Sequence, residues 1–412
     1  MSVSRREMLK VGLGGLSVVS LSGTIPAFLG QFAFADTPST QPISGDNILV
    51  VIQLSGGNDG LNCVVPVGSD EYLKARPVIG IKDRLLKLND SLALNPGMTA
   101  FKDLYDSGQL AIVNGCGYPE PNRSHFRSME IWQTASPTGH EGSGWLGHYI
   151  DHCCRGTTNP LQAVNVGSQL PRALVADSAP VPSINSLEDF AVRVDGSTAA
   201  PDAKAEQLLI RQLNAVRSAS PAMQFLARQS TNAIVSSEEI RKLTSGGYKP
   251  DAQYAPGLGF QLRLMAQIIA ANFGTKLFYT EVGGFDTHSN QVNQHEQLLG
   301  RVSAAIAAFH KDLAAKGLNK KVTVMCFSEF GRRVTQNDSN GTDHGAPGPM
   351  FVSGGAVKGG LYGEYPSLTN LEDGDLKYTT DFRRVYSTLL EKWLNVDSTT
   401  VLSNKFETLG FV

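Results

Sequence analysis

Short, continuous apolar runs that end in polar, glycine-containing loops constrain the fold of this chain more than any other feature. Four such runs are found, at residues 48–54, 111–114, 276–280 and 322–327. Runs of this length without polar alternation are typical of parallel strands that are buried on both faces. Segments with helical spacing separate them, and this alternation predicts a mostly parallel sheet with helices on both sides.

The helical segments are less uniform than the strands. We predict helices at 97–107, 124–135, 203–218, 257–273, 289–316 and about 380–394. The strand–helix alternation is interrupted between about 155 and 255, where several prolines and polar turns accompany two helices with no obvious strand between them. We therefore predict one α/β domain over residues 36–412, with an insertion or cap at about 155–255.

The N-terminus has the features of an export signal. Residues 4–10 read SRREMLK, which is similar to the twin-arginine motif, and no charged residue occurs in 11–35. Ala33-Phe34-Ala35 matches an A-x-A cleavage site. We predict a signal peptide at 1–35, recognition by the twin-arginine export machinery and a periplasmic or extracellular location. Glycines and serines dilute the apolar stretch, so we expect no stable membrane span after cleavage; an uncleaved N-terminal anchor is the alternative.

Charge and cysteine content exclude several classes of function. The 36 Lys and Arg residues nearly balance 38 Asp and Glu residues, and this absence of a basic excess argues against a nucleic-acid partner. The five cysteines form no C-x-x-C pair, and no G-x-G-x-x-G follows the first strand. An exported oxidoreductase with a haem, iron–sulfur or dinucleotide cofactor is therefore a weaker hypothesis, although many twin-arginine substrates carry redox cofactors.

Polar side chains follow each of the predicted strands. Ligands of open α/β sheets bind beyond the carboxyl ends of the strands, so these loops are the place for a site. They supply acids, imidazoles and one hydroxyl at Asp59, Ser124, Asp286, His288, His295, Asp343 and His344. Oxygen and nitrogen ligands of these types predict a site for divalent metal ions.

Several of these residues also have purely structural explanations. Asp59 is typical of an Asx turn in a glycine-rich loop, and Ser124 is typical of a helix N-cap. His295 follows His288 by seven residues, so the two can share one face of a helix, but a lone helical histidine is usually a core or surface residue. The adjacent pair Asp343-His344 is the most specific feature, because a flexible glycine loop has no structural need for it.

Six short motifs give the chain a resemblance to a known family. They are LSGGNDG at 54–60, SHFR at 124–127 with Ile131-Trp132, GFDTH at 284–288, SEFGR at 328–332, TDHG at 342–345 and TDFR at 380–383. On these motifs the chain resembles the domain-of-unknown-function family 1501, whose members are mostly exported bacterial proteins. That family in turn looks like a distant branch of the alkaline phosphatase/sulfatase-like superfamily. The resemblance implies an alkaline phosphatase-like three-layer sandwich.

The same resemblance implies roles for the site residues. Ser124 is the implied nucleophile; Asp59, Asp343 and His344 are the implied ligands of one divalent ion (Zn, Mn, Mg or Ca). Asp286 with His288 or His295 would hold a second. Two features depart from the superfamily pattern: the acid–imidazole pair is spaced Asp-x-His instead of Asp-x-x-x-His, and no histidine follows His344.

Three arginines near these motifs are candidates for binding substrate. Arg123, Arg127 and Arg332 are candidates for clamping the oxygens of a phosphoryl or sulfuryl group; alternatively, each could pair with Glu120, Glu130 or Glu329. We therefore expect an exported metal-dependent hydrolase or transferase of phosphate or sulfate esters. The alternative is a non-catalytic secreted or cell-envelope binding protein that keeps the fold and at most one metal.

Overall fold

The computed structural model describes residues 46–137, 142–153, 159, 161–177, 179, 181–184 and 247–412. The predicted signal peptide at 1–35, the predicted helix at 203–218 and most of the predicted cap lie outside the described residues. Within the described ranges, none of the helices is both long and apolar enough to cross a bilayer.

The described chain forms one large sheet of nine strands. In chain order they are β1 (Ile48–Leu54), β2 (Leu110–Gly117), β3 (Ala163–Val166), β4 (Ser183–Ile184), β5 (Leu277–Val282), β6 (Val322–Phe327), β7 (Gly348–Gly354), β8 (Gly360–Tyr362) and β9 (Thr380–Asp381). Their order across the sheet is β8-β2-β7-β6-β1-β5-β3-β4, and β9 pairs with β2 beside this path. All pairings among these strands are parallel except those of β7, so the predicted α/β fold with a mostly parallel sheet is confirmed.

In the described ranges, six longer helices accompany the sheet. They are α1 (Thr99–Asp106), α2 (His125–Thr134), α3 (Trp145–Cys153), α4 (Leu258–Ala270), α5 (Gln291–Ala315) and α6 (Phe382–Thr388). Shorter helices are Gly60–Cys63, Asp70–Ala75, Thr399–Leu402, the 3₁₀ turns Arg172–Leu174 and Asn319–Lys321, and the π turn Leu389–Trp393. Two small sheets are formed by Val64–Pro66, Leu86–Lys87 and Leu92–Leu94, and by Leu371–Glu372 with Asp375–Leu376. The predicted helices in the described ranges are present, with ends shifted by a few residues.

The sheet is covered on both faces, which explains why its strands are continuous apolar runs. In β1, Val50 and Ile52 belong to one hydrophobic cluster together with residues of α1, α4 and α5. Leu49 and Val51 point to the other side and belong to a second cluster with residues of α2, α3 and α6. All four side chains are fully buried. The result is a three-layer α/β/α sandwich.

Part of the range predicted as an insertion belongs to the main sheet. Strands β3 and β4 lie inside 155–255, and they extend the sheet beyond β5. These strands are four and two residues long, and runs this short are hard to recognise beside prolines and polar turns. The remainder of the predicted cap, 185–246, lies outside the described residues.

The antiparallel strand β7 determines where one important loop lies. Strand β6 ends at Phe327 at the carboxyl edge of the parallel strands, and the chain re-enters the sheet at Gly348 running in the opposite direction. The whole connection 328–347 therefore begins and ends at the same edge. It meets there the loops that follow β1 and β5, which places most of the predicted polar residues together.

Candidate metal centre

Glycines let three loops at the carboxyl edge approach one another closely. The backbone of Gly56 has φ of +120°, and a Cβ at this position would lie 2.3 Å from the backbone nitrogen of Asp286. A Cβ on Gly341 would lie 2.2 Å from the carbonyl carbon of His288. Any larger residue would push the loops apart, so these glycines bring the loops after β1, β5 and β6 into contact.

A buried arginine holds the same three loops together. The guanidinium of Arg332 is fully buried and pairs with the carboxylate of Asp286, with Nη2 2.5 Å from Oδ1. It also donates to four backbone carbonyls, those of Gly56, Gly57, Phe285 and Thr342. The sequence suggested Arg332 as a substrate clamp. The structure instead places it behind the site, where it fixes Asp286 and the loop backbones.

Three imidazoles surround the carboxylate of Asp286. The Nε2 atoms of His288 and His344 lie 3.0 and 3.3 Å from Oδ1, and Nε2 of His125 lies 3.6 Å from Oδ2. The Nε2 atoms of His288 and His344 are 3.0 Å apart. Ligand atoms of His125, Asp286 and His344 all lie within 4.8 Å of one another, a spacing at which they could hold a metal ion. We call His125, Asp286, His288 and His344 the imidazole cluster.

Each imidazole of the cluster has an acceptor on its other nitrogen. Nδ1 of His125 contacts Oε1 of Glu329 at 2.8 Å, and Nδ1 of His288 contacts Oδ1 of Asp343 at 3.2 Å. Nδ1 of His344 contacts the backbone carbonyl of Arg123 at 2.8 Å. Carboxylates and carbonyls only accept, so these partners favour the tautomer with the hydrogen on Nδ1, in which a neutral ring directs its Nε2 lone pair at the cluster. This arrangement, with an outer acceptor orienting each ligand, is the one found around protein-bound metals.

Charge within the cluster also favours a cation. Burial opposes ionisation of Asp286, but the hydrogen bond and charge of Arg332 together with the nearby imidazoles lower its pKa below the usual range. Burial and the neighbouring charges of Arg332 and His125 lower the pKa of His344, which favours its neutral form. The hydrogen bond to Glu329 raises the pKa of His125. The cluster thus combines one carboxylate with nitrogen lone pairs that repel each other unless a proton or a metal ion lies between them.

Asp343 acts from the outer side of the cluster in this structure. Its Oδ1 accepts from His288 Nδ1 and from Asn337 Nδ2 at 3.1 Å, and the Asn337 bond is the main cause of its lowered pKa. The sequence suggested Asp343 as a direct metal ligand beside His344. The structure brings it to the site as the group that orients His288.

Asp59 and His295 lie in a separate buried network. Asp59 is fully buried and pairs with the fully buried Arg76 at 2.6 Å, and it also accepts from Gln291. His295 Nε2 lies 2.8 Å from Oδ1 of Asn58, and burial lowers the pKa of this imidazole to about 4. Among the described residues, no hydrogen bond or ion pair joins Asp59 or His295 to the imidazole cluster. The two predicted ligands are therefore not brought together with the other four.

The remaining predicted residues flank the cluster on helix α2. Ser124 is the N-cap residue of this helix; it is exposed, and its hydroxyl makes no capping hydrogen bond. Arg123 pairs with Asp375, with Nε 2.7 Å from Oδ2, and Arg127 pairs with Glu130 at 2.6 Å. For Arg127 the structure shows the alternative that the sequence left open, a nearby glutamate; Arg123 pairs instead with an aspartate far away in the sequence.

Two residues of the site, His125 and Glu329, are not among those predicted from the sequence. Both lie within motifs that carried the family resemblance, but His125 follows the more obvious Ser124, and Glu329 precedes a run with an arginine. The available signal was position, because each residue begins a loop or helix at the carboxyl edge of the sheet. A fully buried glutamate such as Glu329 needs a partner, and the imidazole of His125 provides it.

A known protein family matches almost all of the described chain. The family is described as "Protein of unknown function (DUF1501)", and the match extends over residues 46–404. The chain belongs to this family. The resemblance noted in the sequence is thereby confirmed, and no curated protein matches the sequence of this chain.

Several solved structures of bacterial proteins match this chain at low sequence identity. A protein in the alkaline phosphatase superfamily from Vibrio parahaemolyticus is 10% identical, with 98% of this chain and 80% of that chain covered and a TM-score of 0.39. The periplasmic domain of EcEptC from Escherichia coli, in complex with Zn, is 9% identical, with 75% and 73% covered and a TM-score of 0.37. The lipoteichoic acid synthase LtaP from Listeria monocytogenes is 9% identical, with 86% and 80% covered and a TM-score of 0.37.

Proposed function

We propose that the imidazole cluster binds one divalent metal ion and that the protein is a metal-dependent hydrolase or transferase of phosphate or sulfate esters. The observation that carries the proposal is the convergence of three Nε2 atoms on Asp286, each from a ring whose Nδ1 is held by an acceptor. Three imidazoles and one carboxylate suit Zn²⁺ better than the oxygen-preferring Mg²⁺, Ca²⁺ and Mn²⁺.

One ion is a better proposal than two. A second site built on Asp59 and His295 would have to compete with the buried guanidinium of Arg76 for the carboxylate. A bound divalent ion would stabilise negative charge on the ester oxygens. The cluster is accessible to a substrate, because the four side chains are between 24 and 47% exposed.

Ser124 is the proposed nucleophile. Its hydroxyl is exposed, makes no capping bond, and belongs to the residue that immediately precedes His125. The N-terminus of the ten-residue helix α2 favours negative charge at this position. Its oxygen would form a bond to phosphorus or sulfur while the ester bond breaks. The serine proton passes to solvent, and the alcohol leaves with a proton; water or a second alcohol then releases the group from Ser124.

The metal proposal is tested by elemental mass spectrometry of the purified, folded protein. We expect about one ion per chain in the wild type and in His152→Ala, which changes an exposed histidine outside the cluster. His288→Ala and His344→Ala should both lose the ion while remaining folded. A folded wild type that binds none of Zn²⁺, Mn²⁺, Mg²⁺ or Ca²⁺ when they are added would overturn the proposal.

The activity proposal is tested on the metal-loaded protein with aryl phosphates and aryl sulfates. We expect turnover that is lost in Ser124→Ala, although this variant should retain the ion. A metal-loaded protein without activity on these esters would favour the alternative, a non-catalytic binding protein with one metal. The internal pairing of Arg123 and Arg127 favours that alternative, since neither guanidinium is free for an anionic substrate.

We also propose that the protein is exported to the periplasm or beyond by the twin-arginine machinery. The proposal rests on Arg5-Arg6, the uncharged stretch 11–35 and the site Ala33-Phe34-Ala35. Cell fractionation should find wild-type protein outside the cytoplasm, and mass spectrometry should find a mature N-terminus at Asp36. The double variant Arg5→Lys, Arg6→Lys should remain in the cytoplasm; efficient export of this variant would contradict the route.

A further inference from the structure

A cleft adjoins the imidazole cluster. One wall is the segment 117–121 that leads into helix α2, and the other is the segment 372–378. The floor contains Trp132 and Phe330. The enclosed part of the cleft has a volume of about 30 Å³, and the rest of the cleft is open to solvent.

Phe330 lies between the cleft and the imidazole cluster. Its ring centroid lies 4.8 Å from the centroids of both His125 and His344, and the same residue lines the cleft. The ring of Phe330 therefore separates a molecule in the cleft from His125 and His344, two of the proposed metal ligands.

The lining of the cleft favours a ring with apolar faces. Aromatic and proline side chains dominate it, among them Tyr118, Pro121 and Tyr378. The hydroxyl of Tyr118 is already bonded to the backbone N–H of Asn122 at 3.0 Å, so this residue contributes its ring. Flat apolar surfaces of this kind bind aryl rings or the C–H faces of sugars.

A buried donor in the cleft has no partner in the described part of the chain. The side chain of Trp132 is 2% exposed, and its indole Nε1–H makes no hydrogen bond. An unsatisfied buried donor costs roughly 1–3 kcal/mol. This nitrogen has almost no accessible surface, so a ligand in the cleft does not reach it without a movement of the surrounding residues.

The charges at the rim determine which end of the substrate enters. Glu120, Glu372 and Lys377 line the cleft and are exposed, so the rim carries two carboxylates and one ammonium group. This balance disfavours an anionic phosphoryl or sulfuryl group inside the cleft. The anionic end belongs at the proposed metal, and the neutral end belongs in the cleft.

We propose that this cleft binds the ring-shaped alcohol portion of the ester, either an aryl group or a sugar, and that Tyr378 determines this specificity. The catalytic part of this inference rests on the proposed function, whereas the binding of a ring in the cleft does not. The ion pair between Arg123 and Asp375 has a positioning role here, because it ties the end of one wall to the other. Arg123 then acts on substrate through the shape of the cleft.

The kinetic test compares phenyl phosphate, glucose 1-phosphate and methyl phosphate, the last of which has no ring. In Tyr378→Ala we expect KM to rise about tenfold for a ring-bearing substrate, with kcat and the metal content unchanged. Values for methyl phosphate should not move, and the substrate that responds identifies the ring as aryl or sugar. Phe260→Ala is the control, because it removes another exposed aromatic residue, from helix α4 in the opposite layer. Equal effects on all three substrates, or none, would overturn the inference.

A binding test separates failure of the cleft from failure of the proposed function. Of the three tryptophans in the chain, Trp132 lines the cleft. Saturable quenching of tryptophan fluorescence by 4-nitrophenol, weakened in Tyr378→Ala but not in Phe260→Ala, would support the cleft for aryl rings even without turnover. If neither 4-nitrophenol nor glucose binds and no ring-bearing ester is selected, the cleft has no such role.

Discussion

Replacing Glu329 with glutamine tests whether an outer carboxylate organises the candidate metal centre. Oε1 of Glu329 accepts from the backbone N–H of Gly56 and from Nδ1 of His125, both at 2.8 Å, and the side chain is fully buried. Oε2 lies 3.1 Å from the hydroxyl of Ser328. Glutamine can keep the accepting oxygen, and its NH₂ group can donate to Ser328, so the variant should fold.

The expected loss is in metal affinity. A carboxylate raises the basicity of the imidazole that it orients and holds the ring in one tautomer, and removing such a group weakens metal binding by roughly 10- to 100-fold. This change corresponds to about 1.4–2.8 kcal/mol of binding free energy. We would measure it as the Zn²⁺ dissociation constant of Glu329→Gln by competition with a chromogenic chelator at pH 8.

Glu130→Gln provides the matched control. Glu130 is a mostly buried carboxylate on the same helix as His125, and it pairs with Arg127 outside the cluster. This substitution should change Zn²⁺ affinity by less than about threefold. If Glu329→Gln is folded by circular dichroism and binds Zn²⁺ as tightly as the wild type, the reasoning about the orienting acceptors is wrong.

Three further predictions concern stability. Burial lowers the pKa of His310 from 6.5 to about 4. As the pH falls below 6.5, the unfolded chain therefore binds a proton at this residue before the folded protein does. The contribution of neutral His310 to stability is full above pH 6.5 and decreases by about 3 kcal/mol between pH 6.5 and pH 4. The free energy of unfolding in urea should differ less between pH 7 and pH 4.5 for His310→Gln than for the wild type; equal differences would contradict this. Asp59→Asn leaves the buried Arg76 without its carboxylate and should cost about 3–5 kcal/mol in urea unfolding at pH 7. A cost below about 1 kcal/mol would show that the pair is not needed. Gly56→Ala should be more destabilising than Gly68→Ala by thermal unfolding, because both have positive φ but only the first Cβ meets backbone atoms. Equal losses would mean that the loops separate freely.

The fold was largely predictable because its signals are local. The predicted runs match the bounds of β1 and β6, since burial on both faces makes most residues of a central strand apolar. The helix α5 was equally clear from its apolar spacing. The direction of β7 and the sheet membership of β3 had no comparable signal, because strand pairing depends on residues far away in the sequence.

The site was predictable only in part, for a related reason. Asp286, His288 and His344 were identified because they lie in glycine-rich loops after predicted strands. Asp59 has the same local context, yet it is neutralised by Arg76, which the helix Asp70–Ala75 carries back toward it. Sequence spacing shows which edge of the sheet a residue reaches but not which partner it meets there.

The contacts of Arg332 limit which loops can be exchanged between members of the family. Its guanidinium bonds to the backbone of the loops that follow β1, β5 and β6. Transplanting one of these loops alone would leave carbonyl groups misplaced around a buried cation, because its partners come from three distant stretches of chain. Chimaeras should therefore take all three loops and the arginine from the same parent protein.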